Sequence, residues 1–544
     1  MYKNIQHIDP SQLNDLSELR KALILCMNII ENQATTIADQ SKRIKDLEDE
    51  INRMKGEHGN YQPKYPKLTS DLPKEKTPRK KTEKSGKKSK LVIDKTVRCT
   101  IDKSKLPADA KLHRYDKLIQ QNLIIKRENT LFEIPVYYSK STGKTYRGEL
   151  PVEYEGQFGG QLQSWAQLLH HYCDVTHGRL EAMLESIGIQ ISAGTINNVL
   201  LSKSDIMKQE SDEILHSGLK YASYAQMDGT RTFEAGEAKS TQVICSPYYS
   251  VYQTMSSKSR AYIIGALQGK LSGDIPLRYD AISIKRLVES KVPRKDQRLL
   301  SRLLTCDKNY TLADFELILK EHAPHLLEKE SHNKVLAILA MSYYEQQTDF
   351  PKAKVLLSDA GYEYELITAH HGGCWIHEER HYKKMTPRLK VHQTLLKQVR
   401  GQIWDFYDKL LNFKELTVDE QNIRKRQLYE EFDEIFTQKT DYEHLNKRLE
   451  QTFSRKEKLL CVLHFPELPL HNNLAELAIR RKVRKRDISL HTISAQGTKA
   501  QDAFMSVVET AAKLGVNALD YLYDRISNKY LMPSLAQVIK LKAN

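Results

Sequence analysis

Two short apolar runs in this chain end in an acid. YAQM (224–227) is followed by Asp228 and Gly229, and VLLS (355–358) by Asp359, Ala360 and Gly361. Such runs, bounded by turn residues, read as strands, and a carboxylate at the end of a buried strand needs a reason to be there. The plain reason is a turn aspartate bonded to nearby backbone. The chemical reason is that acids at the ends of rigid elements can hold divalent cations. A third acid, Glu476, sits in the first turn of a predicted helix within LPLHNNLAELAIR (468–480). Its local alternatives are a capping box with Asn473 and an i, i+4 pair with Arg480. Strands, then helices, one strand with an acidic end, more helices and an acidic helix predict an α/β fold.

Other segments surround this pattern. Leu16, Leu23, Ile30, Ile37, Ile44 and Ile51 recur every seven residues, with Leu19, Cys26, Gln33, Gln40, Leu47 and Met54 as the companion seam. That pattern predicts a coiled-coil oligomerisation helix over 11–55, the alternative being an amphipathic helix docked on its own domain. Residues 56–90 hold four prolines and the basic run KEKTPRKKTEKSGKKSK (74–90), a linker composition that cannot bury enough apolar surface to fold. Residues 91–155 are expected to be β-rich. Over 156–215 a helix ending near Gly188 and another capped by Ser192 outline a helix-turn-helix, with Thr195, Asn197 and Asn198 as candidate DNA contacts. An ordinary αα-hairpin has the same outline. The region 216–510 holds all three acids, with charged helical insertions at about 260–350 and 380–460, and 511–544 reads as a helical tail.

The formal net charge of +15 favours a polyanionic partner, nucleic acid first. Arg480, Arg481, Lys482, Arg484, Lys485 and Arg486 follow Glu476 and can meet phosphates; a solvated helix face is the alternative. The seven cysteines are scattered singly, which argues against a four-cysteine zinc module or a disulfide framework. No run approaches the ~20 apolar residues of a membrane span, and the start has no export pattern, so a cytoplasmic protein is expected.

Four stretches resemble transposases of the insertion-sequence-66 family: LLSDAGYEYE (356–365), GGCWIHEERHYKK (372–384), LPLHNNLAELAIR and SVVETAAKLGVNALDYLYDRI (506–526). The heptad segment and the stretch from GGQLQSW (159–165) to TINNVL (195–200) also correspond. The resemblance implies a ribonuclease-H-like domain in a bacterial, nucleoid-associated DDE transposase. It puts Asp228 on the first strand, Asp359 on a later strand and Glu476 on a helix, holding two Mg2+ (or Mn2+) ions. The implied partners are element-end and target DNA, a second copy at least, and accessory proteins in some cases. Cys374, Trp375 and His377 are similar to a Cys-x-x-His string that follows the second aspartate in several DDE groups; packing around the active site is expected of them, or zinc with His381. The chain departs from the family in having only Cys99 where a cysteine-rich segment is usual, His471 before Asn472, and Gly-Thr after Asp228. A catalytically inactive, transposase-derived DNA-binding protein is the alternative.

Overall fold

The computed structural model describes residues 15–54, 93–101, 112, 114–150, 156–359 and 361–543. The linker expected at 56–90 lies outside them, as do the ends of the heptad segment and parts of 91–155. The chain divides into two compact units, Thr35–Ile125 and the remainder, Met1–Ala34 with Lys126–Asn544.

Helix α1 (Leu16–Met54) follows the heptad pattern. Its residues up to Ala34 belong to the larger unit, where Asn28, Ile29 and Glu31 are buried while Leu16, Leu19, Leu23 and Ile30 stay exposed. Of the strands expected over 91–155, the described residues form one exposed antiparallel hairpin, β1 (Val136–Ser139) and β2 (Lys144–Arg147). Four helices follow: α2 (Gly160–His171), α3 (His177–Ser186), α4 (Ala193–Leu201) and α5 (Ser204–Tyr221). Gly188 has φ +81 between α3 and α4, and Ser192 Oγ accepts from the Thr195 N–H, so both expected punctuation marks are in place.

The central sheet begins with an antiparallel meander, β3 (Ala225–Glu234), β4 (Glu237–Cys245) and β5 (Ser250–Met255). Next come α6 (Arg260–Leu267), β6 (Pro276–Tyr279), α7 (Ala281–Glu289), α8 (Arg294–Leu303), β7 (Lys308–Thr311), α9 (Leu312–His322) and α10 (Lys329–Gln346). The block expected to be helical over 260–350 therefore also contains a two-stranded sheet, β6–β7. It is not a detached insertion: Leu277, Leu300, Phe315 and Leu336 share one apolar core with Met227, Ile244 and Val251 of the meander. Strand β8 (Val355–Ser358) then pairs parallel with β3, and β9 (His370–Gly373) parallel with β8, giving the order β5-β4-β3-β8-β9.

After α11 (Trp375–Lys383) the chain forms a helical block of α12 (Lys390–Phe413), α13 (Val418–Thr437), α14 (Glu443–Phe453) and a short α15 (Lys456–Leu459). Trp375 anchors that block: its ring packs near Phe406, Phe432 and Phe436, and its Nε1–H donates to the Leu459 carbonyl at 2.8 Å. The chain returns to the sheet as α16 (Asn473–Ser489), then α17 (Ala495–Leu514), α18 (Ala518–Ile526) and α19 (Leu535–Ala543). Ala475, Ala478 and Ile479 of α16 pack on Val243, Cys245 and Tyr252, the sheet face opposite the large core. Small alanines let the helix approach closely enough for the Tyr252 hydroxyl to donate to the Ala478 carbonyl at 3.0 Å.

Candidate active site

Strand pairing fixes where the first two acids lie. Gln226 is level with Leu357 across the parallel β3–β8 pair. Two residues further along each strand are Asp228 and Asp359, on the same side of the sheet because side chains alternate with a period of two. Asp228 also pairs with Val243 across β4, and cross-strand partners share a face. Val243 lies under α16, so Asp228 points to the face that this helix covers. β3 runs on to Glu234, past the turn expected at Gly229. The reason is its antiparallel pairing with β4, which continues from Asp228 to Glu234 after the parallel pairing with β8 has ended. Gly229 is needed there for space, since a Cβ would meet the Gln242 amide at 2.7 Å.

Glu476 is placed by the start of α16. Asn472, fully buried, caps that start and ties three elements together. Its Nδ2 donates to the Met227 carbonyl at 2.7 Å, next to Asp228. Its backbone N–H donates to Cys374 Sγ at 3.3 Å, and its carbonyl accepts from the Glu476 N–H at 3.0 Å. Asn473 makes no capping box, so that local explanation of Glu476 lapses. The i, i+4 contact with Arg480 is present at 3.5 Å, joined by Arg380 at 3.7 Å and His377 at 3.8 Å. Sequence reading missed Asn472 as a positioning residue and Arg380 as a neighbour of the acid. The signal for Arg380 was its i, i+3 spacing from His377 on α11, where it donates to the imidazole Nε2 at 3.0 Å.

The three carboxylates feel one another. Burial pushes the Asp228 carboxyl up to about 7; the charges of Asp359 and Glu476 add to the rise, and the Gly229 N–H opposes it. The local bond of a turn aspartate is also present at Asp359, whose Oδ1 accepts from the Gly361 N–H at 3.1 Å. Tyr364, buried in the large core, lies within the electrostatic field of the same acids. Its hydroxyl donates to Gln242 at 3.2 Å, and burial, with the Asp228 and Asp359 charges, holds the phenol well above its ordinary range. Two features match a divalent cation. The donors are hard carboxylate oxygens, and Glu476 Oε1 is buried without a hydrogen-bond partner. A wider concavity between α5 and α19, lined by Asp205, Lys208, Asp212, His216 and Lys540, contains none of the three acids.

Residues 343–500 match the transposase IS66 family. That segment is similar to the transposase domain of the IS66 family. It contains Asp359, the Cys374–His377 string and Glu476, whereas Asp228 precedes it and joins them through the β3–β8 register. An uncharacterized protein of Sinorhizobium fredii (strain NBRC 101917 / NGR234), y4jO, is 28% identical over 335 residues, which is 61% of this chain and 100% of the relative. No solved structure matches.

The six basic residues that follow Glu476 differ in exposure. Arg480 and Arg484 are exposed, and Arg481 and Arg486 are half-buried, Arg481 paired with Glu509 at 2.6 Å and Arg486 donating to the Arg231 carbonyl. Lys482 and Lys485 correct the expectation of a six-residue phosphate surface, because both are buried. Lys482 pairs with Asp502 at 2.7 Å; Lys485 donates to the His170 carbonyl, and burial pushes its amine down to about 8. On α4, Asn197 and Asn198 are exposed and Thr195 is half-buried. Cys374 and Trp375 are buried, and burial pushes the Cys374 thiol up to about 11. His381 turns from Glu476 toward Arg448, Glu378 and Arg455. Among the described residues, the His/Cys/acid group close enough to share an ion is Cys374, His377 and Glu476. No described helix is long and apolar enough to cross a membrane.

Proposed function

We propose that this chain is a DDE transposase with a ribonuclease-H-like catalytic domain, in which Asp228, Asp359 and Glu476 hold two Mg2+ or Mn2+ ions. The observation that supports this reading is the shared field at Asp228: above its raised titration, a buried carboxylate facing two further acids from a second strand and a helix needs a proton or cations to offset their charge, and hard carboxylate oxygens suit divalent cations. Bound there, such ions would neutralise charge on the attacking and leaving oxygens of an in-line phosphodiester displacement. The chain's own part is to hold the carboxylates in register, through the β3–β8 pairing and Asn472, and to bring cationic side chains to the DNA backbone. Arg480 and Arg484, exposed just beyond Glu476, are placed for phosphate contacts, and Asn197 and Asn198 for duplex contacts by α4. Water and then a freed 3′-hydroxyl would act as nucleophiles, with no covalent enzyme intermediate. The heptad helix would supply the second copy that paired-end cleavage requires.

The test is a nicking assay on duplexes carrying the element ends, with Mg2+ or Mn2+. The wild-type chain is expected to cut, and Asp228→Asn to bind equally well while losing cleavage by about 100- to 1000-fold, the order of magnitude for losing an electrostatic group at the reacting centre. Equal binding by both proteins with cleavage by neither would instead identify an inactive DNA-binding descendant.

A further inference from the structure

We propose that Cys374, His377 and Glu476 form a site for one thiophilic divalent ion of the zinc class, separate in chemistry from the hard-cation site that uses the aspartates. A sulfur of Cys374, a ring nitrogen of His377 and a carboxylate oxygen of Glu476 lie within 4.8 Å of one another. Tetrahedral zinc, with bonds of about 2.0–2.3 Å, sets its ligand atoms roughly 3.5 Å apart, so closure needs movements of about 1 Å. Thiolate and imidazole select zinc over magnesium, whereas an all-carboxylate set does the reverse.

Two independent features suit these side chains to an ion. His377 Nδ1 and Glu476 Oε1 are both buried without a hydrogen-bond partner, so each side chain has unused donor or acceptor capacity, and His377 Nε2 lies 3.8 Å from Glu476 Oε1. Cys374 immediately precedes α11, and its sulfur accepts the Asn472 N–H at 3.3 Å, a donor that partly offsets the burial keeping the thiol protonated and that a metal-bound thiolate would retain. Binding forms the sulfur, nitrogen and oxygen bonds to the ion and releases the thiol proton to solvent; water completes the fourth position. Because Glu476 belongs to both sets, a zinc-class ion draws it away from Asp228 and Asp359. That consequence rests on the proposed nuclease reading, whereas the binding itself does not.

The experiment is a Co2+ titration of the full-length chain, followed by visible and near-ultraviolet absorption. One equivalent should produce tetrahedral d–d bands and a sulfur-to-cobalt charge-transfer band, both removed by Zn2+. Cys374→Ser should abolish the charge-transfer band, and His377→Gln should weaken binding beyond the roughly 10–100-fold typical of lost outer-shell partners. Asp359→Asn should leave the spectrum intact. If Cys374→Ser does not fold, Glu476→Gln and His377→Gln must each weaken cobalt binding for the site to stand. Absence of the charge-transfer band in the wild-type chain, or its survival in folded Cys374→Ser, overturns the proposal. A chain that shows the band but never nicks DNA retains this site and loses the nuclease reading.

Discussion

Asp228 concentrates the electrostatic tension of the acidic cluster. Its folded carboxyl titrates at about 7 against an ordinary 3.8, so between those values the folded chain holds a proton that the unfolded chain has released. Stability must therefore fall as pH rises from about 4 to 7 and flatten above. Asp228→Asn removes that penalty. In metal-free buffer at pH 8 the variant should be more stable by roughly 2–4 kcal/mol, with the gap closing toward pH 4, as read by urea unfolding at several pH values. A gap that does not change with pH would contradict the burial argument. Asn472 acts in the opposite direction. Asn472→Ala removes the Nδ2–H donated to the Met227 carbonyl and should lower stability by about 1–3 kcal/mol, measured in the same way. The acids themselves were legible in the sequence because each follows an apolar run or opens a helix. Asn472 was not legible as a hub, since nothing in a single chain shows which carbonyl an asparagine will meet.

At the scale of elements, α1 presents two faces. The heptad residues Leu16, Leu23 and Ile30 are exposed, while Asn28 and Glu31, between the heptad positions, bond to the helical block. Asn28 donates to the Asp441 carbonyl at 3.0 Å, and Glu31 accepts from the Arg388 and Leu389 N–H groups at 2.6 and 3.0 Å, just before α12. Burial would raise the Glu31 carboxyl, but those N–H groups and His392 outweigh it and hold it below its ordinary range. A lowered acid stabilises the fold above its unfolded value of 4.5 and loses that contribution as pH falls through the lower folded value. Glu31→Ala should release the N-terminal helix at a cost of about 2 kcal/mol, seen as faster hydrogen exchange in 388–392 and in α1. Unchanged exchange would place the docking elsewhere. The heptad announced this helix, but a charged residue between heptad positions gives no sign of its partner. The buried lysines of α16 were legible in principle: Ala475, Ala478, Lys482 and Lys485 recur at helical spacing on one face, and charge alone misread them as surface. The strands PLRY and KNYT of β6 and β7 are too short to show alternation, so tertiary pairing alone reveals them.

For the whole molecule, the sequence order of strands, helices and acids was enough to expect an α/β chain, and the sheet order β5-β4-β3-β8-β9 turns that order into proximity. Residues remote in sequence meet because β8 returns parallel to β3 and α16 lies across the face that Asp228 occupies. Manganese binding, counted by electron paramagnetic resonance on the full chain, tests this convergence most directly. Two Mn2+ ions per wild-type chain are expected, with Asp228→Asn, Asp359→Asn and Glu476→Gln each weakening occupancy by more than about tenfold, as loss of a shared ligand requires. Wild-type occupancy in all three folded variants would show that these acids do not hold the ions together.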